Sequence, residues 1–404
     1  MLSNTFFLEP IAPFRLDLTV WTLRRRPENV MDRWDGREYR RVLPVGAGLA
    51  EIAVTQVRPP ESPMLRVVAN GSPLGTKVQN SITASLDLLL GLRIDMGDFY
   101  RVCEADALSA QLARRFRGMK PPRFPTVFES LINAIASQEV TRIVAMLLLN
   151  RLTATYGRAS RKPTIFGKAF PRPTDLAGLD PGDLRALGFS IAKGRAIIEL
   201  ARSIADEQMD LEAMVTLPDQ AAIKALCALR GVGRWTAEYV LLRGLGRTHI
   251  FPGDDAGARN NLQRWLQLKK PPDYAAVHRA LRRWQPYGGM IYFHLLLDRL
   301  AEAGFVKESF VPGLSAHPWE HLKEAMPMAE TFKVGDHVSW NSEAGRVRGT
   351  IKKKITSVIT FKGYKVHASK DEPQYQIKSD KTDHIAMHKG SVLTKLKRTK
   401  GRSA

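Results

Sequence analysis

The sequence predicts a multidomain α+β protein with a mixed α/β domain at the N-terminus, an all-α body in the middle and a small all-β module at the C-terminus. Three observations predict it. The chain has 404 residues, more than one hydrophobic core usually organises. Near Ser81 the apolar period changes from two to alternating steps of three and four, the change from strand to helix. After residue 330 the composition shifts again, to β-branched and aromatic residues separated by glycines.

Within the first domain, residues 1–85, Phe14, Leu16, Leu18 and Val20 alternate with Arg15, Asp17 and Thr19, the pattern of a half-buried strand. Further strands are expected from Leu49 to Val57 and from Met64 to Val68, giving a small antiparallel sheet. The body, residues 86–305, follows from the helical spacing of Leu86, Leu89 and Leu90 and of Phe128, Leu131, Ile132 and Ile135. Prolines between Ala159 and Pro173 break the pattern into a loop, and helices resume over 181–187, 192–205 and 220–229. The Pro-rich stretch 306–330 reads as a linker. In residues 331–398, Val334, Val338, Trp340, Val347, Ile351, Val358, Ile359, Phe361, Tyr375 and Ile377 favour strands and glycines mark turns. The basic tail 399–404 reads as disordered. No internal repeat is present.

Charge narrows the partner. The chain carries 61 Lys plus Arg against 40 Asp plus Glu, a formal +21, which points to a polyanion: nucleic acid first, an anionic membrane surface second. Residues 331–404 alone hold 17 Lys plus Arg against 6 Asp plus Glu, about half the excess. Only Cys103 and Cys227 occur, far apart, so neither a disulfide framework nor a four-cysteine zinc or iron–sulfur site can be built, and a reducing setting is expected. No apolar run approaches the 18 residues of a membrane span. The first residues, MLSNTFFLEPIAPF, lack the parts of a secretory signal, so a cytoplasmic, nucleoid-associated protein is expected.

The chemistry concentrates in LCALRGVGRWTAEYVLLRGLGRTHIFPGDD, Leu226 to Asp255. Gly231 and Gly233 separate one apolar helix, ending at Leu229, from another that begins near Arg234. So tight a turn leaves backbone amides uncovered and can bring them, with the positive end of the second helix, against a phosphate. A bare G-x-G turn is weak, but L-x-G-V-G-x-W-T-A is selective. Asp255 precedes a further helix whose Ala258, Leu262, Trp265 and Leu266 share a face; on position alone such an aspartate is a cap. Trp235 and Tyr239, four apart, share a helical face, a spacing most often found in a core. His249 and His294 read as structural.

With three more segments, PTVFESLINAIASQEV (125–140), FPRPTDLAGLDPGDLRALGFSIAKGRAIIELA (170–201) and RRWQPYGGMIYFHLL (282–296), this stretch resembles the helix-hairpin-helix DNA glycosylases, specifically the bacterial DNA-3-methyladenine glycosylase II branch. The resemblance covers most of residues 10–300. It implies a TATA-binding-protein-like N-terminal domain and a two-part helical body with the active-site cleft between its halves. It implies a hydrolase of alkylation repair that flips an alkylated purine out of duplex DNA and cuts its N-glycosidic bond, with no organic cofactor and no catalytic metal.

On that resemblance Asp255 is the catalytic carboxylate, with Asp254 a cap or supporting group. Trp235, Tyr239 and Trp21 form the base pocket, whose aromatic faces would attract a cationic lesion. Gly231, Val232 and Gly233 hold a phosphate, with a monovalent cation at the hairpin carbonyls as an option. Arg234 and Arg243 assist electrostatically, and Gln138 reaches base edges. Relatives that also cut the backbone place a lysine where this chain has Trp235, so a monofunctional enzyme without lyase activity is implied. Two positions depart from the pattern. Leu296 stands where a pocket tryptophan is usual, and Glu139 where an apolar wedge is usual.

Residues 332–397 resemble a small Tudor-like domain of bacterial hypervirulence-associated proteins, which implies a five-stranded SH3-like barrel of unassigned ligand. Its Lys352, Lys353 and Lys354 would add nonspecific phosphate attraction. The chain is read as a monomer whose partner is damaged duplex DNA. Two other readings stay open: the same fold acting on another base, such as a deaminated purine, and a catalytically silent DNA-binding protein.

Overall fold

The computed structural model describes residues 3–46, 48–71, 75–159 and 167–306, together with 332–342, 345–357, 359–361, 364–366, 368, 373–380, 385–389 and 393–396. They fall into two units, 1–314 and 315–404.

The first unit opens with strands β1 (Ser3–Leu8), β2 (Arg33–Trp34), β3 (Glu38–Val45), β4 (Gly48–Gln56) and β5 (Leu65–Gly71), an antiparallel sheet in the order β1-β5-β4-β3-β2. The strands expected at 49–57 and 64–68 are β4 and β5. The alternation from Phe14 to Val20, however, is not a strand. It belongs to helix α1 (Leu16–Arg24), and the reason is burial on both sides. Leu16, Val20 and Leu23 pack on the sheet, whereas Leu18 and Trp21 pack on the helical body, so nearly every position is apolar or hidden and no single stripe survives to betray the helix.

Helix α2 (Thr76–Leu90) closes the sheet's core with Ile82, Leu86, Leu89 and Leu90. The boundary expected at residue 85 therefore falls inside a helix that still belongs to the sheet layer.

The body comprises α3 (Gly97–Glu104), α4 (Ala107–Arg115), α5 (Val127–Ser137), α6 (Arg142–Tyr156), α7 (Pro173–Leu176), α8 (Pro181–Ala186), α9 (Ile191–Ala205), α10 (Asp219–Cys227), α11 (Arg234–Arg243), α12 (Ala256–Trp265), α13 (Tyr274–Leu281) and α14 (Gly288–Glu302). Side-chain oxygens of Thr126, Thr141, Ser190, Asp255 and Asp273 accept first-turn amides of α5, α6, α9, α12 and α13, which is where the sequence begins those helices. Two cores result. One joins α5, α6 and α8 to α11; the other joins α3, α4, α12, α13 and α14 with one face of α1. Helix α11 contributes to both, Val240 and Leu241 to the first and Leu242 to the second, and so forms the wall between them.

A buried ionic cluster rivets the sheet to the body. Arg41 of β3 donates to Asp32 at 2.5 Å and to both oxygens of Glu129 on α5 at 2.6 and 2.7 Å, and the Tyr39 hydroxyl donates to Asp32 at 2.8 Å.

In the second unit, β6 (His337–Ser342), β7 (Gly345–Ile355), β8 (Ile359–Phe361), β9 (Tyr364–Val366), β10 (Gln374–Ser379), β11 (Ile385–Lys389) and β12 (Thr394–Lys395) form a sheet ordered β11-β10-β7-β6-β12 and a separate β8-β9 hairpin. Phe332, Val338, Ile351, Tyr375, Ile377 and Leu393 make its core. Among the described residues the five-stranded sheet runs from β11 to β12. Val334 is not a strand residue: it precedes β6 and is 63% exposed. Val358, the tail 399–404, residues 160–166 of the expected loop and residues 307–330 of the expected linker lie outside the described residues. No described helix is long and apolar enough to cross a membrane.

Candidate active site and nucleic-acid interface

The glycine turn forms as expected between α10 and α11. Gly231 has φ +72°, a left-handed conformation that L side chains rarely adopt, and a Cβ there would meet Ala196 at 3.2 Å. Gly233 is different. Its backbone is ordinary and a Cβ there would meet nothing within 4 Å, so nothing inside the fold calls for a glycine. It is the N-cap of α11 and provides no side-chain cap, which leaves the first amides of that helix uncovered beside exposed Gly231 and Arg234. Val232 is buried and anchors the turn in the first core.

Gln138, expected at base edges, is tied instead to the hairpin. Its amide donates to Gly231 O at 2.8 Å and to Thr236 Oγ1 at 3.0 Å. A monovalent cation at the hairpin would have to share Gly231 O with that amide. Lys193 holds the same turn from below, donating to Gln138 O at 2.5 Å. Glu139 follows with φ +54°, and it and Val140 both stand exposed at the tip.

Asp255 is the N-cap of α12 and 5% exposed. Its Oδ1 accepts Ala258 N at 2.8 Å, and its Oδ2 accepts Trp235 Nε1–H at 3.2 Å. Arg142, at the start of α6, lies 3.9 Å from Oδ1. Arg142 also lines a cleft with Arg25, Asn133 and Ser137, so one ion-pair contact links the carboxylate to that cleft.

The loop before Asp255 is clamped to α11. Glu238, buried in the middle of that helix, accepts Gly253 N at 3.0 Å and the Tyr274 hydroxyl at 2.6 Å. Burial pushes the Glu238 pKa up, against the pull of those two donors, and burial together with Glu238 pushes the Tyr274 phenol up to about 12. Asp254 accepts from Arg234 Nε at 2.8 Å and Nη2 at 2.6 Å, and the Arg234 guanidinium lies 3.8 Å from the Tyr274 ring centroid. Arg234, expected at a phosphate, is exposed but already paired.

Two expected site residues are elsewhere. Arg243 is fully buried, at 0% exposure, and donates to Thr22 O and Leu23 O at the end of α1, each at 3.1 Å. It serves the last carbonyls of that helix and cannot touch a phosphate. Trp21 is packed against Phe305, with ring centroids 5.1 Å apart, in the second core, and does not join Trp235 and Tyr239.

Tyr239 does sit beside Trp235, at 5.8 Å between centroids, but it is 1% exposed and its hydroxyl donates to Asn133 Oδ1 at 2.8 Å. It backs the cleft wall and leaves Trp235 as the half-buried aromatic face. Leu296 is half-buried against the second core.

His294 is fully buried with Nδ1 on Met290 O at 2.8 Å, and His249 pairs with Asp219 at 2.6 Å, both structural roles. Among the described residues no group of three or more His, Cys, Asp or Glu could hold a metal ion.

Sequence reasoning missed Arg25, Asn133, Arg142 and Glu238. Glu238 was visible as the one acidic residue inside an apolar helix, and Arg25 as the middle of the run Arg24-Arg25-Arg26. Asn133 and Arg142 carried no comparable signal.

The first unit thus combines a sheet-bearing N-terminal layer, a two-core helical body and a glycine hairpin followed by a capped aspartate. Residues 132–286 match the HhH-GPD superfamily of base excision DNA repair proteins, and residues 335–393 match the Tudor domain of hypervirulence-associated proteins; the chain carries both domains. It is 32% identical over 177 residues to a putative DNA-3-methyladenine glycosylase of Bacillus subtilis, which covers 44% of this chain and 60% of that one. It is 23% identical over 286 residues to the DNA-3-methyladenine glycosylase of the same organism, covering 70% of this chain and 94% of that one. The solved 3-methyladenine DNA-glycosylase of Archaeoglobus fulgidus superposes with a TM-score of 0.64 at 24% identity, over 73% of this chain and 98% of that one, which establishes a shared fold. The chain thus spans less than two thirds of the first of these relatives and almost all of the other two.

Proposed function

We propose that the chain is a DNA glycosylase of base excision repair that flips an alkylated purine, of the 3-methyladenine type acted on by its named relatives, out of duplex DNA and hydrolyses its N-glycosidic bond. The observation that carries this reading is the placement of Asp255. Its carboxylate is held by a helix amide on one oxygen and by the Trp235 indole on the other, 3.9 Å from the cleft residue Arg142 and on the helix that follows the hairpin with open amides and its FPGDD loop. Both oxygens are held in place, so a sugar swung into the cleft meets a fixed negative charge. That charge stabilises the oxocarbenium-like transition state and can take a proton from the attacking water.

The hairpin amides of Gly231 to Gly233 and the uncapped start of α11 would hold the backbone phosphate. Trp235 forms the reachable aromatic wall of the base pocket, with Tyr239 behind it. Because position 235 carries an indole and not an amine, no Schiff base can form there, which supports a monofunctional enzyme without lyase activity. Exposed Lys352, Lys353 and Lys354 on β7 suit the Tudor module to nonspecific phosphate attraction, and the Pro-rich composition of residues 306–330 suits a linker. A cytoplasmic place beside the nucleoid follows from the substrate.

The test is base release from methylated duplex DNA by wild type and Asp255→Asn. Asparagine keeps the helix cap and loses the charge, so release should fall by about 10²-fold or more while DNA affinity is retained. If both proteins bind DNA and neither releases any base, the chain is a binding module and the enzymatic reading is wrong.

A further inference from the structure

Asp255 has a cation for a neighbour. Arg142, the first residue of α6, lines the cleft and brings its guanidinium to 3.9 Å from Asp255 Oδ1, the one ion pair of that carboxylate among the described residues. At that distance it is not a hydrogen bond. Ala258 N and Trp235 Nε1–H already occupy the two carboxylate oxygens, at 2.8 and 3.2 Å, and Arg142 donates to no other described group, so its N–H donors stay open. The Arg142 side chain is 43% exposed and can meet a partner arriving from solvent, whereas that of Asp255, at 5%, is fixed inside. Gly257, in the first turn of α12, keeps the gap between the two charges clear: a Cβ there would stand 3.2 Å from Asp255 Oδ1 and 3.3 Å from Arg142 Nη2. A glycine inside a helix costs stability relative to alanine, and here those are the two groups that it spares.

Such a cation works against the proposed chemistry unless something draws on it. A positive charge beside Asp255 lessens the negative field that an oxocarbenium-like sugar needs. The sugar, however, arrives between the phosphates that flank its own nucleoside, and those anions repel a fixed carboxylate as the anomeric carbon approaches it. A guanidinium that lines the cleft and has open donors meets both difficulties: its fork fits phosphate oxygens, and once it is engaged there its charge serves the phosphate as well as the carboxylate. The other arginines expected to assist are committed elsewhere, Arg234 to Asp254 and the fully buried Arg243 to carbonyls of α1. We propose that Arg142 binds a phosphate flanking the everted nucleoside, a contact separate from the one made by the hairpin amides, and so lets the sugar settle against Asp255. This rests on the glycosylase reading and adds to it a substrate contact.

A cycle between protein and DNA tests it on the full chain. Duplexes carrying one abasic-site analogue are made with every phosphate intact, or with a neutral methylphosphonate in place of the phosphate on its 5′ or its 3′ side, and each is titrated with wild type and Arg142→Gln over a series of salt concentrations. Expected on the intact duplex is a loss of affinity of about tenfold in Arg142→Gln, with the slope of log K against log salt shallower by about one. Wild type should lose as much on one of the two methylphosphonate duplexes, and on that duplex Arg142→Gln should lose nothing further. Arg142→Lys should keep the salt slope and recover part of the affinity. Losses that simply add on both methylphosphonate duplexes, or an unchanged slope in Arg142→Gln, overturn the proposal. Wild type that is indifferent to both methylphosphonates overturns it as well, and that arm needs no variant to fold. Faster base release by Arg142→Gln at unchanged affinity would make Arg142 a brake on Asp255 and not a phosphate contact. If wild type releases no base from methylated duplex DNA, the glycosylase reading fails, whereas the phosphate cycle, read from binding alone, still decides the contact of Arg142.

Discussion

Two groups of buried arginines flank the first core, and the fold treats them in opposite ways. Arg41, on the sheet side, is met by Asp32 and Glu129 at 2.5 to 2.7 Å. Burial works against its charge, but those carboxylates raise its pKa well above the ordinary value. Arg25 and Arg243, at the end of α1 and within α11, share the Tyr239 ring and have no carboxylate within 4 Å among the described residues. Burial, reinforced by Arg25, brings the Arg243 pKa down to about 10, and its Nε and Nη1 have no acceptor. Where a buried cation only has to join two layers, the fold supplies its counter-ions. Arg25 and Arg243 are met instead by a hydroxyl, by carbonyls and by ring faces, and for Arg243 the cost of burial shows in its lowered pKa.

The comparison can be broken at either end. Arg41→Met should give the largest effect, because it strands Asp32 and Glu129 together without their cation; a loss of about 3–5 kcal/mol is expected from urea unfolding of the full chain. If the loss is below about 1 kcal/mol, the ionic cluster is not what joins sheet and body.

His294 extends the comparison to a group with no charged partner at all. Burial lowers its pKa to about 4, against some help from Met290 O. The unfolded chain, at about 6.5, takes up the proton first, so its contribution to stability is full above pH 6.5 and is lost as pH falls toward 4. That loss is of order 3 kcal/mol. His294→Gln should flatten the stability profile over that window, and an unchanged profile would remove His294 as its source.

Arg243→Met should change stability by only about 1 kcal/mol, since losing two carbonyl contacts is offset by relieving an unpaired buried charge. A loss as large as that of Arg41→Met would mean that both clusters are structural. The smallest effects separate the hairpin glycines. Gly231→Ala should lower stability by about 1 kcal/mol, whereas Gly233→Ala should leave unfolding nearly unchanged and weaken duplex binding several-fold in a titration. Equal effects on binding and stability at position 233 would remove the argument that its open side is kept for a phosphate.

Much of the site was legible because it is local. The hairpin, Trp235 and Asp255 lie within 25 residues of one another, and turn chemistry and helical spacing place them without knowledge of the rest of the chain. Helices α5, α6, α9, α12 and α13 of the body were legible for the same reason, each opening on a capping side chain. Helix α1 was not, since a helix packed on both sides has no stripe and its alternating residues imitate a strand. Arg243 was misplaced because a basic residue on a helix looks the same in sequence whether it faces water or the carbonyls of another helix.

The chain by itself determined the three-part architecture, the glycine turn and the helix cap at Asp255, all of which depend on neighbours a few residues away. Only the tertiary structure decided which charges surround that carboxylate. Arg25 meets Tyr292 across 267 residues of sequence, and Arg41 meets Glu129 across 88. Contacts of that span depend on how sheet and helices are layered, and no local period records it.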